Sequence, residues 1–238
     1  MRKALLLPVL FSAGLIPCSR GVQAVQELAD DASWTSEFPV EKGELKSSGR
    51  NPFFVLEPGF QLVLEKGKAR LEITVLDETR IVDGVETRIV EERESDDGEL
   101  DEVSRNFFAI SSRTNSVFYF GEEVDEYEDG KIAHHGGAWL AGVDGARFGL
   151  LMPGQILLGA RYYQEQAPGE AMDRAEIVSM TEAVTTPAGE FKTCLKTEES
   201  SPLEPKSREF KRYAAGIGLV QEESLKLVKY GMIEKAAR

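Results

Sequence analysis

Apolar and polar residues alternate along much of this chain with a period of two. In Arg70-Leu71-Glu72-Ile73-Thr74-Val75 the side chains of Leu71, Ile73 and Val75 fall on one face of an extended strand and the polar ones on the other. Ile81-Val82-Asp83-Gly84-Val85-Glu86 sets Asp-Gly between two β-rich runs. That predicts a tight hairpin, because a type I′ turn needs positive φ at both central positions and Asp-Gly tolerates it. Asp-Gly recurs at 97–98, 129–130 and 144–145, and the runs 87–94, 103–111 and 117–127 read as successive strands of an up-and-down meander.

The second half repeats this style. Residues 174–186 form a long strand candidate, turned by Pro187-Ala188-Gly189, and 190–198 returns. Residues 208–213 and 219–230 supply further strands, with Gly216 and Gly218 at a bend or bulge. Past the N-terminal segment no stretch shows helical periodicity. The expected fold is all-β: about ten antiparallel strands in a meander that curls into a strongly curved sheet or incomplete barrel, the usual escape from exposed sheet edges. Between about 136 and 172 the alternation breaks. This stretch is rich in Gly, Ala and Pro and carries Trp139, Phe148, Met152, Tyr162 and Tyr163. It is too long and too apolar for a solvated loop, so it is expected to cover an open face or an end of the sheet.

The N-terminus changes the picture from fold to compartment. Arg2 and Lys3 precede an uncharged run from Ala4 to Ile16, and Val22-Gln23-Ala24 offers small residues at the two positions a signal peptidase reads. Residues 1–24 are therefore expected to be a signal peptide cleaved after Ala24, giving a periplasmic or secreted protein. The run is too short for a membrane span, and no later segment is one. A second route runs through Cys18: Leu15-Ile16-Pro17-Cys18 resembles a lipobox, apart from Pro17, and acylation there would tether the protein to a membrane. The expected organisation is a signal peptide (1–24), a polar linker or arm (25–52) that Trp34 and Phe38 would dock, a single β domain (53–233) and a short tail (234–238).

Charge excludes one class of partner. The chain has 28 basic and 41 acidic residues, a net charge of −13. Losing residues 1–24, which hold Arg2, Lys3 and Arg20 but no acid, would make the remainder more acidic still. Such a surface repels nucleic acid. Cleavage would also leave Cys194 without an intramolecular disulfide partner. Cys194 sits in the strand-like run 191–196, where a small buried hydrophobe is the ordinary reading and a reactive thiol the alternative.

Candidate chemistry is sparse. His134-His135 holds the only histidines, and adjacent strand side chains point to opposite faces, so the pair is expected to be a polar strand end. The acidic run Glu122, Glu123, Asp125, Glu126, Glu128, Asp129 lacks the spacing of a calcium loop, as do 96–99 and 101–102. No Gly-x-Ser-x-Gly elbow, nucleotide loop or cysteine-based zinc spacing occurs, so neither a cofactor, a metal nor a catalytic residue is assigned. Asp144, Glu165 and Asp173 lie in or beside the irregular stretch and would be the acids of a carboxylate-based hydrolase, should distant carboxyls converge in one cleft.

Several stretches resemble motifs of a family of exported bacterial proteins with no established activity. They are Val117-Phe118-Tyr119-Phe120-Gly121-Glu122, 137–146, Met152-Pro153-Gly154, 162–165, 171–175, Pro187-Ala188-Gly189-Glu190-Phe191 and 213–220. Ala215 stands where Pro is expected. The resemblance spans about 52–231 and implies an exported β protein, and no activity. The functional expectation is thus a non-enzymatic exported β domain that binds a hydrophobic small molecule, or an envelope protein partner, on a concave face. Trp139, Phe148, Met152, Tyr162 and Tyr163 are the candidate lining. The alternatives are the carboxylate hydrolase and a structural cell-envelope protein.

Overall fold

The computed structural model describes residues 33–233. The expected signal peptide with its cleavage point, Cys18 and the tail 234–238 lie outside them.

Thirteen antiparallel strands form one continuous path: β1 (Phe60–Lys66), β2 (Ala69–Val82), β3 (Val85–Asp96), β4 (Glu99–Ser111), β5 (Val117–Glu128), β6 (Arg147–Met152), β7 (Arg161–Tyr163), β8 (Glu165–Gln166), β9 (Arg174–Thr186), β10 (Gly189–Ser200), β11 (Glu209–Ala214), β12 (Gly218–Glu222) and β13 (Leu225–Met232). Their spatial order is β7-β9-β10-β11-β12-β13-β1-β2-β3-β4-β5-β6-β8. The sheet is strongly curved and nearly closes into a barrel with one seam, as the meander predicts. Among the described residues there is no α-helix, and hence none long and apolar enough to cross a membrane.

The hairpins form where local chemistry requires them. Asp83, Asp97, Asp129 and Asp144 all take positive φ, between 47° and 54°, and the glycine after each is positive as well. The last strand does not remain an edge: β13 pairs with β1, from Lys226 opposite Glu65 to Met232 opposite Phe60. The seam falls in mid-chain instead. β7 pairs with β9, β8 pairs with β6, and only Gln164 separates β7 from β8. The stretch 136–172 thereby closes the curved sheet with short wall segments. Gln164 and Glu165 both donate their backbone N–H to the Asp173 carbonyl, at 2.8 and 3.0 Å. Gly149 of β6 lies so close under this crossing that an added Cβ would collide with the Gln164 carbonyl. A glycine is needed here for close backbone approach.

The segment 34–56 wraps the wall. Trp34 packs on Tyr163, with ring centroids 6.4 Å apart, and Phe38 meets Phe118 edge-on at 6.1 Å. Thr35 bonds to both Arg161 and Tyr163 and so extends the β7 edge. The two-stranded ribbon Gly49–Asn51 and Phe54–Leu56 follows, pinned by Asn51, whose Nδ2 donates to the carbonyls of Asn115 and Pro153. Leu56, Phe60, Leu62 and Leu64 enter the buried core with Val75, Val90, Phe108, Tyr213, Leu219 and Leu227.

Candidate site in the barrel interior

Each inward-facing row runs from apolar to acidic. On β3 the sequence is Val90, Glu92, Glu94; Val90 is buried, Glu92 half-buried and Glu94 exposed. Their partners on β4 are Asn106, Ser104 and Glu102 in the same order, preceded by the buried Phe108. On β11 the row is Tyr213, Lys211, Glu209, facing Leu195, Thr197 and Glu199 of β10. On β12, Leu219 lies opposite Tyr213 and Glu222 opposite Lys211. Strand alternation thus delivers aliphatic and aromatic groups to one end of the interior and carboxyls to the other.

Where the two halves meet there is a cavity of about 90 Å³. Phe54, Phe60, Leu62, Ile73, Val75, Val90, Phe108 and Leu219 supply its apolar walls, and Glu92, Lys211, Glu222 and Tyr213 its polar side. A dry apolar cavity of ~150 Å³ holds benzene, so this smaller one suits a short alkyl segment rather than an aromatic ring or a whole lipid.

Lys211 organises the polar side. Its Nζ lies 3.0 Å from Glu199 Oε2 and 3.2 Å from Glu222 Oε1. Burial alone would depress the ammonium, but Glu199 and Glu222 outweigh it and hold its pKa well above the usual lysine value. The other oxygen of Glu199 accepts from Thr197 Oγ1 at 3.2 Å and from Gln164 Nε2 at 3.4 Å, with Tyr213 Oη at 3.5 Å. This buried carboxylate ties β10 and β11 to the seam.

The remaining acids are not neutralised in this way. Desolvation, with only Lys211 opposing it and Glu222 adding to it, pushes Glu92 up to about 8. Desolvation likewise pushes Glu122 up to about 7, against hydrogen bonding from Tyr119. Glu165 is raised well above the carboxylate range by burial and then by the charges of Glu122 and Asp173. Glu94, Glu209 and Asp173 are raised mainly by desolvation too, although water reaches them. They ring the rim, where protein surrounds a carboxyl without covering it. Among the described residues the buried Tyr162 Oη, on a residue 2% exposed, finds no hydrogen-bond partner; the indole N–H of Trp139, 5% exposed, faces the Glu122 carboxyl.

The five side chains expected to line a ligand site are distributed. Met152 lines the cavity. Trp139 packs on Tyr119 at 5.4 Å, opposite Glu122 in register. Phe148 stacks on Phe120 at 5.0 Å and stays out of the cavity wall. Tyr162 faces inward opposite Ala175, toward Glu199, whereas Tyr163 faces Trp34 on the outside. Of the three acids of the hydrolase reading, Glu165 and Asp173 are brought together with Glu122. Asp144 stands apart, exposed in its turn.

The other candidates have ordinary settings. His134 is exposed, and His135 Nδ1 lies 2.9 Å from Asp125 on the outer surface. No three His, Cys, Asp or Glu side chains converge to hold a metal among the described residues. Cys194 is fully buried, and burial with the nearby Glu182 raises its thiol further from the reactive thiolate.

Sequence reasoning passed over Glu92, Glu199, Lys211 and Glu222. Their signal was parity: Glu92 and Glu94 continue the face of Val90, and Lys211 continues that of Tyr213. No family model, no curated protein and no solved structure matches the chain.

Proposed function

We propose that this protein binds a small molecule with an apolar body inside the barrel, its polar end at Glu92, Lys211 and Glu222, in the exported compartment that the N-terminal segment predicts. The observation that carries this reading is the cavity itself: an apolar chamber with convergent charged groups on one side is the usual form of a ligand site. A domain that needed only stability would gain more from filling the chamber, since each buried CH₂ is worth roughly 0.8 kcal/mol. A titration of hexanol followed by methyl NMR tests it. Shifts concentrated on Ile73, Val75, Val90 and Leu219, and lost in Ile73→Phe, are expected. Shifts spread over the surface, or none at millimolar hexanol, would overturn it.

A second reading, hydrolysis by paired carboxyls, draws on Glu122. A carboxyl near 7 is matched to general acid work at neutral pH, and Glu165 beside it would be its partner. It requires hydrolysis of a glycoside or ester that Glu122→Gln and Glu165→Gln each abolish while leaving the fold intact.

A further inference from the structure

We infer that the polar end of the ligand is a protonated amine: the acidic half of the interior receives a small alkylammonium whose carbon chain enters the apolar cavity. This rests on the binding reading above and adds the identity of the head group.

Three observations lead there. The first is charge. Glu92, Glu199 and Glu222 come from three different strands to the interior beside the cavity, and Lys211 is the cation they share. An anionic head would meet net repulsion, and a neutral one would leave the excess negative charge uncompensated.

The second is Tyr162. Its hydroxyl is buried and without a hydrogen-bond partner, on the inward side of β7, near Glu199 and Tyr213. A phenolic oxygen with open lone pairs beside a carboxylate is a receptor for an N–H group, which donates to both. A buried hydroxyl of this kind is destabilising while it stays unmatched.

The third is an internal precedent. The Lys211 side chain is itself a butylammonium, with its carbon stem against the cavity and its nitrogen between two carboxylates. The same pocket chemistry, repeated one carboxylate further along at Glu92, has no ammonium of its own. Glu92 takes up a proton instead, and a bound amine would displace that proton.

The test compares hexylammonium, hexanol and hexanoate at constant ionic strength and about pH 8.5, where hexylamine is still charged and Glu92 titrates. Hexylammonium is expected to bind at least about tenfold tighter than hexanol, and hexanoate more weakly than either. Calorimetry in buffers of differing ionisation enthalpy should show proton release with the amine only. Glu92→Gln and, separately, Tyr162→Phe should each cut the preference for the amine, read as the ratio of hexylammonium to hexanol affinity in the same variant, by about threefold or more. Tyr162→Phe removes only a hydroxyl with no partner, so it keeps the fold. Equal affinity for hexanol and hexylammonium, or an amine preference indifferent to both variants, overturns the inference and leaves the binding reading standing. Failure of all three ligands to bind overturns both.

Discussion

The two halves of the barrel interior are made by the same strands and differ in what their inward rows carry. On β3 the change from Val90 to Glu92 takes two residues, about 7 Å along the strand, and on β11 the change from Tyr213 to Lys211 takes the same. The apolar half is held by non-directional burial, and its members are interchangeable so long as volume is kept. The acidic half is held by specific pairs. Glu199 alone meets Lys211, Thr197 and Gln164, and through them joins β10, β11 and the seam. The lesson is that one half sets how stable the barrel is, while the other sets where it is charged and at what pH.

The comparison breaks most directly at Lys211. Lys211→Met keeps the stem and removes the charge, leaving Glu199 and Glu222 facing each other. A loss of about 3 kcal/mol at neutral pH is expected in urea denaturation, because a buried carboxylate is stranded. Adding Glu199→Gln should recover part of it. A loss no larger than that of a surface lysine would mean the pairs are solvated and the two halves do not differ. Next comes Gly149→Ala at the seam. Its Cβ would drive into the Gln164 carbonyl, and a destabilisation of about 2–3 kcal/mol is expected, with faster hydrogen exchange at Gln164 and Glu165 than elsewhere in the wall.

The acidic half also fixes a pH dependence. The folded-state values of Glu92 and Glu122 are raised, to about 8 and about 7, so the folded protein holds protons that the unfolded chain releases near pH 4.3. Their stabilisation is fully present below that unfolded value and is lost as pH climbs through 7 and 8. Stability should therefore fall from pH 6 to pH 9, by roughly 2 kcal/mol, read as a falling Tm. Glu92→Gln should flatten the upper part of the profile. A profile that rises over this interval would sink the assignment.

How much of this was legible in the sequence follows from how local each feature is. The Asp-Gly hairpins were legible because two adjacent residues determine the turn, and Asp83, Asp97 and Asp129 all adopt it. The all-β class followed from the same turns and from the alternation at Leu71, Ile73 and Val75. The seam was not legible. β7 and β8 are three and two residues long, too short for any period to register, and Gln164 between them belongs to neither. The interior acids were hidden for another reason. From Glu91 to Asp96 every residue is polar, so hydropathy assigns no face. Parity with Val90 is the one local clue to the face of Glu92, and the ladder of β3 with β2 shifts register just before Val90, between Val75 and Thr79. A bulge is set by packing with a distant partner, and one slip exchanges inside for outside.

The smallest expected effect is the sharpest control, because it places the same charges on the other face of the same strands. Glu91 and Arg105 neighbour Glu92 and Ser104 in sequence and point outward. Arg105 Nε lies 3.3 Å from Glu91, its Nη1 3.2 Å from Asp125, and Asp125 reaches His135 at 2.9 Å. In distance these pairs match those of Lys211. The cations differ in surroundings: the His135 side chain is 68% exposed and that of Arg105 35%, against 25% for Lys211, whose partner Glu199 is 10% exposed. Water already reaches Arg105 and His135, so removing their carboxylate partner strands no buried charge. Asp125→Asn should cost at most about 0.5 kcal/mol and should vanish into the noise at high salt, whereas the loss at Lys211 should persist there. Were Asp125→Asn as costly as Lys211→Met, the separation between inside and outside would have no energetic content, and the acidic interior would be no more than surface folded inward.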